Sequence, residues 1–288
     1  MSLTEKKLRI FAWRFFALQV VTPFTPFVLS DAYFSPEIEK YGLQKLNPKS
    51  INLAKTRKMP SLKNPVIFVQ VDQLATFCST ILGDIFQPFT LITGKWHLPP
   101  LQEDGYTQEI LENPFLTEWY SQNQVYSNLP ILPFPYGVEL TSAPHIWWRM
   151  RLRGIFGLGR SGVFVPHVRI HRHLAGSALQ TRQELHSLAS PRLPLAPYLG
   201  KILRHRFVIS PPGDRLDTYR HWECVALGAV PVSNLPHIFS ELFGDGMIFV
   251  DSLADFVRSN PKLIRPAPNA RLASVRYWRD RVKNQGFS

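Results

Sequence analysis

The residues with the clearest capacity for chemistry lie between Phe207 and Val232, in the run Phe-Val-Ile-Ser-Pro-Pro-Gly-Asp-Arg-Leu-Asp-Thr-Tyr-Arg-His-Trp-Glu-Cys-Val-Ala-Leu-Gly-Ala-Val-Pro-Val. An apolar stretch ends at Ser210, two prolines and Gly213 enforce a rigid turn, and Asp217 carries the side chain of a helix N-cap. Gly228 suits the residue that ends the helix, and Pro231 follows where a new strand begins. A strand, a turn and a helix start in that order leave backbone N–H groups and the positive helix end beyond the strand's carboxyl edge, which is a place for a diphosphate. Arg220 falls in the first helical turn and Glu223 three residues on, so the two side chains share one side of the helix. The guanidinium can neutralise a departing nucleotide diphosphate, and the carboxylate can accept hydrogen bonds from ribose hydroxyls. The same pair also reads as an exposed helical ion pair, which would contribute little.

The elements that must hold this segment follow from the apolar pattern. Val66–Val71 reads as a strand and Leu74–Phe86 as a helix; Phe89–Thr93, closed by Gly94, and Ile131–Phe134, bracketed by prolines, read as further strands. The second half repeats the alternation: a strand at Val163, a helix over 176–188, a strand at Phe207–Ser210 and a helix over 218–227. A strand at Ala229–Val232, a helix near Phe239, a strand at Met247–Val250 and a helix from Leu253 complete it. Alternating strands and helices imply parallel pairing, hence an α/β chain with two lobes in series. The lobe boundary is placed in the Trp-, Arg- and Gly-rich stretch Ser142–Gly162. Its glycines precede a strand instead of following one, so they read as a hinge and not as a dinucleotide fingerprint. The resulting division is an N-terminal arm over 1–62, lobes over 63–150 and 160–265, and a closing amphipathic helix over 266–288.

The segment resembles the donor-binding region of the exostosin-like glycosyltransferases, glycosyltransferase family 47. In these a strand leads to Ser-Pro-x-Gly, then Asp-x-x-Arg-x-Trp-Glu, then a Gly before Pro-Val, matched here by Ser210, Pro211, Gly213, Asp217, Arg220, Trp222, Glu223, Gly228, Pro231 and Val232. A weaker likeness runs upstream through Trp119–Asn123, Pro133 and Tyr136–Val138, so that 65–252 is covered. The resemblance implies a GT-B fold, two Rossmann-like lobes with parallel sheets facing a central cleft. It implies donor contact by Arg220 and Glu223 and, for an inverting transfer, a general base. That base has no motif here, because Lys95, Trp96 and His97 stand where relatives tend to carry an acidic residue. Arg215 and Tyr219 also replace the family's frequent Gly and His. His97 could activate an acceptor hydroxyl, with Asp72 at the end of the first strand as a second candidate base. Ser210, Gly213 and Asp217 would hold the donor, joined by Arg182 from the preceding helix or, on the plainer reading, with Arg182 on a solvated face. The co-substrate expected is a nucleotide sugar, the partner a glycan acceptor, and no metal or further cofactor is called for.

Bulk properties narrow the alternatives. Of 288 residues, 45% are hydrophobic and 19% charged, which is ordinary globular usage. The 25 prolines cluster at the ends of apolar runs, as stiff loops do. A formal charge of +12 favours anionic partners. It admits a nucleic-acid binder as a rival, although no basic-aromatic recognition module supports one. A relative that binds donor or glycan without turnover is the nearer rival. His167, His171 and His173 lack a Cys or carboxylate at metal spacing and read as a basic loop beside donor phosphates. Cys78 and Cys224 lie in apolar segments of different halves, so no disulfide framework is expected. Lys6, Lys7 and Arg9 ahead of Phe11–Val21 outline a signal-anchor, but Arg14, Pro23 and Pro26 interrupt it, and an apolar arm packed on the globule is the other reading.

Overall fold

The computed structural model describes residues 14–94, 101, 103–124, 128–156, 160–170, 176–213, 215–259 and 268–284. The chain divides into two compact units, one of residues 1–135 with 275–288, the other of residues 136–274.

The first unit is built on strands β1 (Ala32–Phe34), β2 (Ile51–Asn52), β3 (Val66–Gln70), β4 (Phe89–Gly94), β5 (Leu116–Gln122) and β6 (Leu132–Phe134). They form one sheet in the order β2-β1-β3-β4-β5-β6, every pair parallel. Parallel strands covered on both faces should be apolar throughout, and all of β3 and β4 is buried. The winding reverses between β1 and β3, so the crevice beyond the carboxyl ends of those two strands is a topological switch point. Helix α1 (Leu74–Thr80) and helix α2 (Gly105–Leu111) pack against each other beside this sheet. Asp104 caps α2, its carboxylate accepting the Thr107 N–H at 2.9 Å.

One expectation for this unit changes. The stretch read as an N-terminal arm contributes β1 and β2, whose short runs are too brief to show alternation in sequence. Of the signal-anchor candidate's described residues, Ala17, Val20 and Val21 are buried while Phe15 is 47% exposed. Among the described residues no helix is long and apolar enough to cross a membrane.

The second unit carries β7 (Val163–Phe164), β8 (Phe207–Ile209), β9 (Val230–Ser233) and β10 (Ile248–Phe249) in the order β10-β9-β8-β7, again all parallel. Around it stand α3 (Ala143–Phe156), α4 (Gly176–His186), α5 (Leu195–Arg204), α6 (Tyr219–Leu227) and α7 (Leu253–Ser259). Val165, Leu185, Phe207, Ile209, Val232 and Phe256 meet in its core. Two helices were not legible in sequence. The stretch 142–162 holds α3, while Gly157 and Gly159 of the expected hinge lie outside the described residues, and the change of unit falls earlier, after Pro135. Helix α5 begins among prolines, which its first turn tolerates because those N–H groups need no helical partner; Leu199, Ile202 and Leu203 then form its buried stripe. The closing segment is a 3₁₀ turn, Ala270–Ala273, broken at the extended Ser274 before α8 (Val275–Asn284).

Candidate functional site

An open pocket of ≈ 450 Å³ lies within the second unit, beyond the carboxyl end of β7, where α/β sheets place their ligands. Phe164, from the end of β7, and Tyr198, from α5, bring aromatic rings to it. His167 and Arg169 reach it from the loop after β7, Arg192 from the segment before α5, and Arg220 from the first turn of α6. An apolar wall with convergent cationic groups is the composition of a site for an anion that also carries a flat or hydrophobic part.

The local sequence explains the convergence. Helix α6 starts at Thr218, whose N–H donates to His221 Nδ1 at 3.0 Å. It stops at Gly228, where φ is 75° and the chain turns left-handed into β9. This fixes Arg220 in the opening turn, and its Nη2 donates to the His167 carbonyl at 3.0 Å, drawing the β7 loop to the helix. Arg182 makes the complementary tie. It is buried, donates through Nε and Nη2 to the Pro212 carbonyl at 3.2 and 2.8 Å, and through Nη1 to the Arg169 carbonyl at 2.9 Å. Neither the solvated face nor a direct ligand contact describes it; its planar fork joins the two loops that border the pocket, a geometry lysine cannot reproduce.

Glu223 is buried one turn along α6 and does not line the pocket. Its Oε2 accepts the Tyr198 hydroxyl at 2.6 Å, so the pocket meets Glu223 through Tyr198. Burial raises the Glu223 carboxyl above its ordinary range, with the Tyr198 hydrogen bond and the Arg220 charge pulling it back. Burial, then the Glu223 charge, raises the Tyr198 phenol well above its usual value. The exposed ion pair read from spacing does not describe Glu223: its contact with Arg220 is electrostatic and its hydrogen bond goes elsewhere.

Asp217 is not the N-cap. It is fully buried, accepts Tyr136 N–H at 2.9 Å, and has Trp222 Nε1 at 2.7 Å from both carboxylate oxygens. Burial raises its carboxyl, opposed by His221 and Trp222. Ser210 is equally enclosed: its carbonyl accepts His221 Nε2 at 2.8 Å and the Ser233 hydroxyl at 2.7 Å. The two ring nitrogens of His221 thus tie the start of α6 to the end of β8. The Gly213 N–H, expected to be open for phosphate, donates to the Arg215 carbonyl at 2.8 Å, and a Cβ there would stand 3.2 Å from Thr218 Cγ2. Ser210, Gly213 and Asp217 are thus engaged in the hydrogen bonds that build the turn. Arg215 lies over the Tyr136 ring at 4.6 Å.

In the first unit Asp72 is exposed just beyond β3, and its Oδ1 accepts Gln70 Nε2 at 2.8 Å. Gln70 Oε1 in turn accepts the Ser35 hydroxyl, so the three side chains mark the β1/β3 switch point. His97, His171 and His173 lie outside the described residues. Among the described residues no three His, Cys, Asp or Glu come together as a metal site.

Of the residues lining this pocket, the sequence singled out His167 and Arg220 and did not single out Phe164, Arg169, Arg192 or Tyr198. Recognition of α5 from its Leu199, Ile202, Leu203 spacing would have exposed Tyr198; nothing in the sequence marks Arg192. No protein-family model and no curated protein matches this chain.

Proposed function

We propose that the chain is a glycosyltransferase whose second unit binds the nucleoside diphosphate of a nucleotide sugar in the pocket beyond β7. The observation that carries this reading is the convergence of His167, Arg169, Arg192 and Arg220 beside the rings of Phe164 and Tyr198, on the carboxyl side of a parallel sheet. The cationic groups suit a diphosphate and the rings suit a base or ribose. Two parallel-sheet units of Rossmann type are the division that a GT-B transferase needs, and the likeness of Ser210–Val232 to exostosin-like enzymes points the same way.

In the transfer, an acceptor hydroxyl attacks the anomeric carbon as its bond to the diphosphate breaks, and the electron pair departs on phosphate oxygen. Fixed guanidinium groups stabilise that charge as it develops. Arg220 is anchored by the His167 carbonyl and so is preorganised for this role. Glu223 holds Tyr198 and, through it, the wall against which the ribose lies; Asp72 is the candidate base in the first unit.

Calorimetric titration of UDP, GDP and ADP into the wild type and into Arg220→Ala tests the reading. At least one nucleotide should bind, and the substitution should weaken it about tenfold or more, since hydrogen bonds to charged groups contribute about 1.5–3 kcal/mol. Failure of all three to bind removes the proposal. Sugar release from nucleotide-sugar donors distinguishes a transferase from a relative that only binds.

A further inference from the structure

A continuous exposed surface borders this pocket and is not explained by it. The segment Pro191–Pro197 supplies Pro191, Arg192 and Leu193 to the pocket rim and then runs outward into the first turn of α5. There Pro194, Leu195, Ala196 and Pro197 are all exposed, Leu195 to 37%. Beside it stands α3, whose Trp148 is 57% exposed, far above what an indole in a packed core shows. Arg149 Nη2 donates to the Ala196 carbonyl at 3.5 Å, joining the two segments into one face. Arg151 is exposed, with its guanidinium 4.7 Å from the centre of the Trp147 ring, and Trp147 meets Trp148 edge-on at 4.9 Å. The sequence of α3 carries Arg149, Arg151 and Arg153 and no acidic residue.

From this composition we infer that the face formed by Trp148, Leu195 and the 194–197 turn, with Arg149, Arg151 and Arg192 around it, docks on an anionic lipid bilayer. A surface tryptophan is at home at the headgroup level, where its ring is apolar and its N–H stays wet. Leucine and proline enter the acyl boundary, and arginines on the same face meet anionic headgroups, each adding attraction that falls off within a Debye length. A nucleic acid would use the arginines and could stack a base on Trp148, but it would leave Leu195 and the prolines without an apolar partner. The net charge of +12 adds long-range attraction to the same surfaces. Docked in this way, the rim residue Arg192 lies at the membrane, so an acceptor held in the bilayer would meet the pocket at its mouth.

The test is local, so that other parts of the chain cannot imitate the result. Cys78 and Cys224 are buried, with thiols that burial pushes up to about 12, so a cysteine introduced by Leu195→Cys in the full chain takes an environment-sensitive fluorophore selectively. Vesicles of phosphatidylcholine mixed with phosphatidylserine should shift its emission to the blue. Binding should be at least about tenfold weaker to phosphatidylcholine alone and should weaken with salt. Adding Trp148→Ser to the labelled protein should lower the affinity for anionic vesicles by about tenfold. No shift with anionic vesicles, or an equal response to both vesicle types, overturns the inference. So does a shift produced instead by duplex DNA or by raising protein concentration without lipid. None of these outcomes depends on nucleotide binding.

Discussion

Replacing Asp217 with asparagine separates two accounts of the same residue. If Asp217 were an N-cap, asparagine would serve almost as well and alanine would cost about 1 kcal/mol. The structure makes it a buried acceptor for Tyr136 N–H and the Trp222 indole. Whichever way the amide of Asp217→Asn turns, its nitrogen lies 2.7 Å from Trp222 Nε1, donor against donor. Alanine orphans both buried donors, at about 1–3 kcal/mol each, partly offset because an ionised carboxylate no longer has to be desolvated. The expected net destabilisation is about 3 kcal/mol for alanine and about 2 kcal/mol for asparagine. Thermal melting followed by near-ultraviolet circular dichroism, which sees Trp222, should drop by roughly 10 °C for alanine at about 2–4 °C per kcal/mol. A melting point for Asp217→Asn within about 1 °C of wild type would refute the buried-acceptor account.

Arg182→Lys should keep the charge yet loosen both loops, weakening nucleoside diphosphate binding several-fold in the same titration while lowering stability by about 2 kcal/mol. Gly228→Ala, at a φ of 75° and with Arg160 Nη1 3.0 Å from the new Cβ, should cost about 1–2 kcal/mol in urea unfolding without changing the m-value. Glu223 is raised in the folded state, so between its ordinary value of 4.5 and its folded one the folded protein holds more protons than the unfolded. The stability contributed by that group therefore falls as pH rises through this window, and Glu223→Gln should flatten that part of a stability-against-pH curve. A variant whose curve keeps the wild-type slope above pH 4.5 would assign the decline to another group.

The sequence was most legible where runs were long or bounded by strong stop signals. Val66–Gln70 and Phe89–Gly94 are buried along their whole length, and the helix 219–227 ends at Gly228 as its sequence signals. Ile51–Asn52 is two residues long, carries no period to detect, and joins the sheet by pairing with Ala32 and Tyr33. Within the site, Arg220 was found because helical phase places it in the first turn. The N-cap role read for Asp217 failed because polarity in sequence does not distinguish a cap from a residue that satisfies a distant buried backbone N–H. Tyr198 shows the converse: an aromatic residue inside an unrecognised helix became the intermediary to Glu223.

The first unit is discontinuous in the chain. Trp278 of α8 packs on Phe134 at 5.1 Å, Val275 N–H donates to the Gln19 carbonyl at 3.2 Å, and Lys283 pairs with Asp31 at 2.8 Å. During synthesis from the amino end, the whole of the second unit leaves the ribosome before these contacts can be made. Its sheet can mature while the earlier-made sheet still waits for its final helix, so removal of 275–284 should expose the older unit to proteolysis and spare the younger.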